Sequence, residues 1–250
     1  MSLPEIVTRD EWLAARRRLL EREKKLTRQR DELNADRRRL PMVRIEKDYV
    51  FQGAGGEARL PDLFEGRRQL IVQHFMFDPS WENGCSSCTA DADERSQRLL
   101  EHLQARDTTF ATVSRAPFAK LDAYRRARGW TFPWYSSLGS DFNYDFHVTV
   151  DESVAPMEVN YRDRDELAQA SPALRSLTES EQPFELPGIS CFLREGDQVF
   201  HTYSTFGRGT EAVGGAYGYL DLTALGRQES WEEPKGRVES PHGAVPDFAT

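Results

Sequence analysis

The sequence predicts an α/β fold in which a βαβ unit presents a pair of cysteines. Three observations carry that reading. The apolar run Leu70-Ile71-Val72-Gln73-His74-Phe75-Met76-Phe77 reads as a buried strand, and a short turn links it to Gly84-Cys85-Ser86-Ser87-Cys88. A helix with Leu99, Leu100 and Leu103 on its core face follows, then a strand over residues 108–113. Residues 117–128 form a further helix, opened by Pro117 and ended by Gly129, which completes a β-loop-α-β-α pattern.

The bulk properties bound the rest. The chain has 250 residues, 38% apolar and 30% charged. That allows one core of roughly 150 to 180 residues with polar additions. A formal charge of -8 and a pI near 5.3 argue against a nucleic-acid or anionic-membrane partner. The N-terminus carries no apolar leader, and no window approaches the roughly 18 apolar residues of a membrane span. The expectation is a soluble, cytoplasmic protein. Three cysteines do not make a disulfide framework. They fit a reducing compartment, with one working pair and one spare.

Charge is unevenly placed. Residues 9–44 hold 13 Lys or Arg against 7 Asp or Glu, a net of +6, so the remainder carries -14. Acidic residues interspersed through the segment weaken a nucleic-acid arm and favour contact with an acidic protein surface.

In chain order, residues 10–33 read as a long helix with Thr8 as N-cap and Glu11 three positions on. Trp12, Leu13, Leu19, Leu20, Leu26 and Leu33 give it one apolar stripe, suited to packing across the domain or against a second copy. Residues 35–48 read as a shorter helix or turn followed by a strand at residues 42–45. Residues 49–60 are two short strands about a Gly-rich turn, and lack the Gly-Lys-Ser/Thr ending of a phosphate loop. Residues 62–66 are a helical turn, and residues 69–77 the buried strand. The next helix is expected from Cys85 to about Ala105. Residues 130–137 are a dense aromatic loop leading through Phe142, Tyr144 and Phe146 to a strand at residues 147–150. Residues 151–180 read as a polar insertion. Residues 189–194 and 198–204 form a hairpin about Glu195-Gly196-Asp197. A final helix starts within residues 220–225, and a loose polar tail follows from 227.

The chemistry concentrates at Cys85 and Cys88. The thiolate is the nucleophile, and a helix N-terminus favours it through free N–H groups and a partial positive charge. Cys85 would be the exposed, attacking member, and Cys88, one turn deeper, would resolve the mixed disulfide. Glu82, Asp91, Asp93 and Glu94 oppose thiolate formation, unless Asp91 and Asp93 serve the helix dipole. A structural zinc site needs two further ligands, and with Cys191 alone and scattered histidines no metal or cofactor is expected. Cys191 is a buried filler or a third redox thiol. Pro187 and Pro133 compete to orient substrate beside the dithiol, Pro187 doing so as a cis residue or ending its loop in trans. Trp81, Trp134, Tyr144, His147 and His201 are candidates to line or tune the site; His74 could equally tune a sulfur or be packed.

Together the motifs resemble one family. Val50-Phe51-Gln52-Gly53, Leu60-Pro61-Asp62-Leu63-Phe64-Glu65-Gly66-Arg67 and His74-Phe75-Met76-Phe77 are similar to those of the thioredoxin-like DUF899 proteins. So are Gly84-Cys85-Ser86-Ser87-Cys88, Phe132-Pro133-Trp134-Tyr135-Ser136-Ser137 and Asp141-Phe142-Asn143-Tyr144-Asp145-Phe146-His147. The resemblance continues through Val199-Phe200-His201-Thr202-Tyr203-Ser204-Thr205 to Gly207-Arg208-Gly209, spanning most of residues 10–225. It implies an α/β thioredoxin-like sandwich, a central mixed β-sheet with helices on both faces, in a bacterial, cytoplasmic dithiol protein. Peroxiredoxin-like openings share the Gly-rich hairpin and the Leu-Phe-x-Gly turn, but a peroxidatic cysteine would be expected beside a Thr and an Arg. The turn also departs from thioredoxin's Trp-Cys-Gly-Pro-Cys, since Ser86 and Ser87 stand between the cysteines.

The division expected is an N-terminal helical extension over 1–48, a thioredoxin-like domain over 49–226 with an insertion near 151–180, and a tail over 227–250. The function expected is thiol–disulfide oxidoreduction on protein or low-molecular-weight disulfides. A non-catalytic binding or scaffold protein and a thiol peroxidase are the alternatives. The long N-terminal helix offers a route to a homodimer.

Overall fold

A computed structural model describes residues 4–213 together with 229–231, 233, 235–236 and 241. The expected helix in residues 220–225 lies outside the described residues, as does most of the tail from 227. Two compact units meet in sequence between Met42 and Val43.

The first unit holds helix α1, Arg9–Arg37, with no buried residue. Its start is set by the capping box read from the sequence. Thr8 Oγ1 accepts from the Glu11 N–H at 3.3 Å, and Glu11 Oε2 accepts from the Thr8 N–H at 2.9 Å. Trp12, Leu19, Leu20, Leu26 and Leu33 are exposed along it.

The second unit is built on an eight-stranded mixed sheet. Its elements are β1 (Val43–Arg44), β2 (Val50–Gly53), β3 (Gly56–Arg59), β4 (Gln69–His74), α2 (Ser86–Asp93), α3 (Gln97–Gln104), β5 (Thr108–Ser114), α4 (Phe118–Ala127) and β6 (Trp134–Ser136). Then come α5 (Phe142–Asp145), β7 (Thr149–Val150), β8 (Glu158–Val159), β9 (Arg162–Asp163), α6 (Arg164–Ala168), α7 (Pro172–Arg175), β10 (Phe184–Glu185), β11 (Gly188–Glu195) and β12 (Gln198–Phe206). The sheet runs β1-β12-β11-β4-β5-β6-β2-β3. β4, β5 and β6 are parallel, and β11 and β12 join antiparallel on the far side of β4. The order β5-β4-β11-β12, entered by a strand–helix–strand crossover and closed by a hairpin, is the thioredoxin-like core. β7 with β10 and β8 with β9 form two separate small ribbons.

Alternation along the strands sends side chains to two cores. Leu70, Val72, Ala111, Val113 and Phe192 point to one, which Leu63, Phe64, Phe142 and Phe146 fill. Phe75 points to the other, with Cys88, Ala92, Leu100, Leu121, Trp130, Phe132 and Trp134. Helices α2, α3 and α4 cover that second face, and α5 with the 3-10 turn Leu60–Phe64 covers the first. Each buried aliphatic or aromatic side chain contributes about 1.5–3 kcal/mol of burial free energy.

The expected single helix from Cys85 to Ala105 is two helices. Ser96 breaks it, because its side chain accepts from the Leu99 N–H at 3.2 Å and caps α3. The aromatic loop at 130–137 contains strand β6, aligned on β5 by the Thr112 N–H bond to the Pro133 carbonyl, 2.9 Å. The strand expected over 147–150 is shorter, because α5 and the positive φ of His147, 52°, occupy its approach.

Candidate dithiol site

The site is assembled where β4 ends and α2 begins. The Cys85 N–H donates to the Met76 carbonyl at 3.0 Å, folding the turn back onto its own strand. Gly84 makes this closure sterically feasible, since a Cβ there would stand 2.5 Å from the Phe75 ring. Lys120 ties down the preceding loop through the carbonyls of Pro79 and Trp81, at 2.8 and 2.7 Å. Arg115 does the same from the end of β5, pairing with Asp78 and with Glu185.

Cys85 is the N-cap of α2 and is half-buried; Cys88 lies one turn on and is 5% exposed. Both are free thiols. The Cys88 thiol donates to the Cys85 sulfur, which is the main reason the Cys85 thiol is pulled down to about 6. Burial opposes this, while the N–H groups of Cys88 and Ser87 and the Ser87 hydroxyl add to it. The same bond pushes Cys88 well up, and burial and the Cys85 charge push it further. One sulfur is therefore poised as thiolate and the other holds the proton.

Of the acidic residues, Asp91 and Asp93 are paired, although Asp91 still disfavours negative charge at Cys88. Asp91 pairs with Arg95 and accepts from Gln73. Asp93 pairs with Arg128 at 3.0 Å and accepts from Trp130 Nε1 at 2.8 Å. Thr89 and Tyr124 share a hydrogen bond of 3.0 Å behind the pair. An open groove of about 490 Å³ lies alongside, lined by Asn83, Asp93, Tyr124, Ala127 and Arg128.

The other candidates divide between the two faces. Trp134 shares the dithiol's core, and its Nε1 donates to Ser114 Oγ at 3.0 Å. Trp81 is 37% exposed on the loop before the cysteines. Pro133 and Pro187 precede β6 and β11, and the peptide bond before each is trans; among the described residues the cis bond is Gln182–Pro183. His201 packs against Phe146 and Phe192 on the opposite face, and His147 stands 3.7 Å from Glu158. Tyr144 sits near Arg115. Cys191, on β11, is pushed up to about 11 by burial. Sequence reasoning missed Gln73, Arg95 and Arg115; their polarity beside apolar strands was the only signal.

Comparison with solved structures finds matches of low similarity. Peroxiredoxin Q of Xanthomonas campestris, in a cysteine-to-serine mutant, is 14% identical, covering 70% of this chain and 94% of that one with a TM-score of 0.41. A cysteine-to-serine mutant of PrxQ from Xylella fastidiosa is 14% identical over 66% and 84% with a TM-score of 0.39. Peroxiredoxin 6 of Arenicola marina, again a cysteine-to-serine mutant, is 8% identical over 70% and 67% with a TM-score of 0.41. Among curated proteins there is no match. One family profile, described as "Bacterial protein of unknown function (DUF899)", matches residues 1–242, and the chain belongs to that family.

Proposed function

We infer that the protein is a thiol–disulfide oxidoreductase in which Cys85 attacks a disulfide and Cys88 resolves the product. The observation that carries the reading is the division of labour at the start of α2. Cys85 is half-buried with its thiol lowered to about 6, while Cys88 is buried and raised. A thiolate with a pKa near ambient pH is the best attacking group in exchange, and a neighbouring thiol is what releases the mixed disulfide. Trp81 and the groove beside Tyr124 offer the surface on which a protein or small disulfide would rest. Pro187 heads the strand next to β4 and is proposed to orient that substrate.

The test is turnover of insulin or a small disulfide with a thiol donor. The wild type is expected to accelerate it and Cys85→Ser to abolish the effect. Absent turnover, or turnover that survives Cys85→Ser, favours a non-catalytic binding protein.

A second reading, thiol peroxidase, is favoured by the hairpin β2–β3 and the Leu60–Phe64 turn that precede the central strand, an opening shared with peroxiredoxin-like chains. Cys85 would cleave the O–O bond and become a sulfenic acid, which Cys88 would condense to a disulfide with loss of water. Peroxide consumption that depends on both cysteines supports it.

A further inference from the structure

Beside the dithiol helix lies a polar cluster, buried at Arg95 and Gln73 and open at Asp91, whose side chain is 46% exposed, for which attack by Cys85 has no use. Arg95 follows α2, and its side chain is 8% exposed. The guanidinium stands 4.4 Å from the Phe110 ring centre and 5.5 Å from that of Phe132. Its Nη1 donates to Gln73 Oε1 at 2.8 Å and its Nη2 pairs with Asp91. Gln73 closes the ring by donating from Nε2 to Asp91 at 2.6 Å, and Thr112 Oγ1 reaches Gln73 Oε1 at 3.4 Å. Cys88 and Asp91 are three apart in α2 and share one helix face. Burying a guanidinium is costly unless a nearby anion gains from it.

Few charges face Cys88. On its own helix these are Cys85 and Asp91, with Arg95 just beyond. β4 offers the uncharged Gln73 and the segment after it the Met76 N–H, β5 offers Thr112, α4 offers the Tyr124 hydroxyl held by Thr89, and β6 offers Trp134. Asp93 is turned to Arg128, and Glu94 attracts Arg95. Asp91 disfavours negative charge at Cys88 and Arg95 favours it.

Given the dithiol reading, we propose that Arg95 is a positioning residue for resolution, stabilising the Cys88 thiolate once Cys85 is held in a mixed disulfide. In that state Cys85 Sγ is bonded to a substrate sulfur. Cys88 loses its proton to solvent and its sulfur attacks Cys85 Sγ. The Sγ–Sγ bond forms, the bond to the substrate sulfur breaks, and the substrate thiolate leaves with the electron pair. The dithiol is oxidised by two electrons and the substrate disulfide is reduced by the same two. Gln73 and Asp91 hold the guanidinium in place.

The chromogenic aryl disulfide DTNB tests this on the full chain carrying Cys191→Ala. The first nitrothiolate released reports attack by Cys85, and the second reports resolution by Cys88. Arg95→Gln is expected to leave the first release unchanged. It should slow the second about tenfold at neutral pH and raise its pH midpoint by roughly one unit. Arg95→Lys should restore most of the rate. A second release unchanged in Arg95→Gln, or equally slowed in Arg95→Lys, overturns the proposal. If Arg95→Gln does not fold, Arg95→Met, which keeps an apolar stem against Phe110 and Phe132, decides by the same readout: a slowed second release with a raised midpoint supports the proposal, and an unchanged one overturns it. A parent that releases a single nitrothiolate overturns the dithiol reading itself, and the proposal with it.

Discussion

The two faces of the sheet diverge at the end of β4. On one face Gln73 and Phe75 look toward α2, where a half-buried thiol sits above a buried guanidinium. On the other, His74 Nε2 bonds Ser190 Oγ at 2.7 Å, Ser190 bonds Ser204 at 2.8 Å, and Ser204 bonds His201 Nε2 at 2.7 Å. That chain is enclosed by Phe142, Phe146 and Phe192. These hydrogen bonds hold β4, β11 and β12 together, while His74 Nδ1 is buried without a partner among the described residues. The dithiol face keeps a sulfur at the surface whose proton is held by its neighbour. Burial alone therefore does not mark a reactive group. His74 is more buried than Cys85 and is pushed down to about 3, chiefly by desolvation, so it stays neutral and structural.

Damage to the two faces should show itself differently. Cys85→Ser should abolish disulfide turnover while leaving the melting temperature within a few degrees of wild type, measured by insulin reduction and thermal denaturation. Phe142→Ala, on the far face, should cost about 3–5 kcal/mol in urea unfolding, as expected for emptying a fully buried aromatic site. Its folded fraction should still titrate Cys85 normally. Gly84→Ala pushes a methyl into the Phe75 ring and should cost about 1–3 kcal/mol. Unlike Phe142→Ala, it should also slow alkylation of Cys85, read by mass spectrometry.

Acid separates the two faces again. Folded His74 refuses a proton that the unfolded chain accepts from 6.5 downward. The stability it confers is therefore full above that value and lost as pH falls toward about 3. Wild-type melting temperatures should drop across that window, and His74→Phe should drop less. Cys85 alkylation should follow a separate midpoint near 6, with the rate falling on the acid side. The smallest effect belongs to Cys191→Ala, which should change disulfide turnover less than twofold.

Much of this was legible in the sequence because it rests on local rules. Thr8 with Glu11, Pro117 with Gly129, and the hairpin about Gly196 are encoded within a few residues of where they act. The dithiol was legible for the same reason, since strand, turn and CxxC are contiguous. What was not legible depends on long-range register. Trp134 joins Cys88 because β6 lies beside β5, whereas Tyr144, ten residues on, sits beside Arg115. Arg95 reads as a surface charge until α2 ends early at Ser96's cap and drops it between Phe110 and Phe132.

The dithiol mechanism is best tested by a redox titration of Cys85 and Cys88, mass-tagging thiols across a glutathione series. One reversible two-electron transition is expected, in which both thiols disappear together and Cys191 remains tagged. Cys85 and Cys88 both remaining thiols at every poise would contradict it.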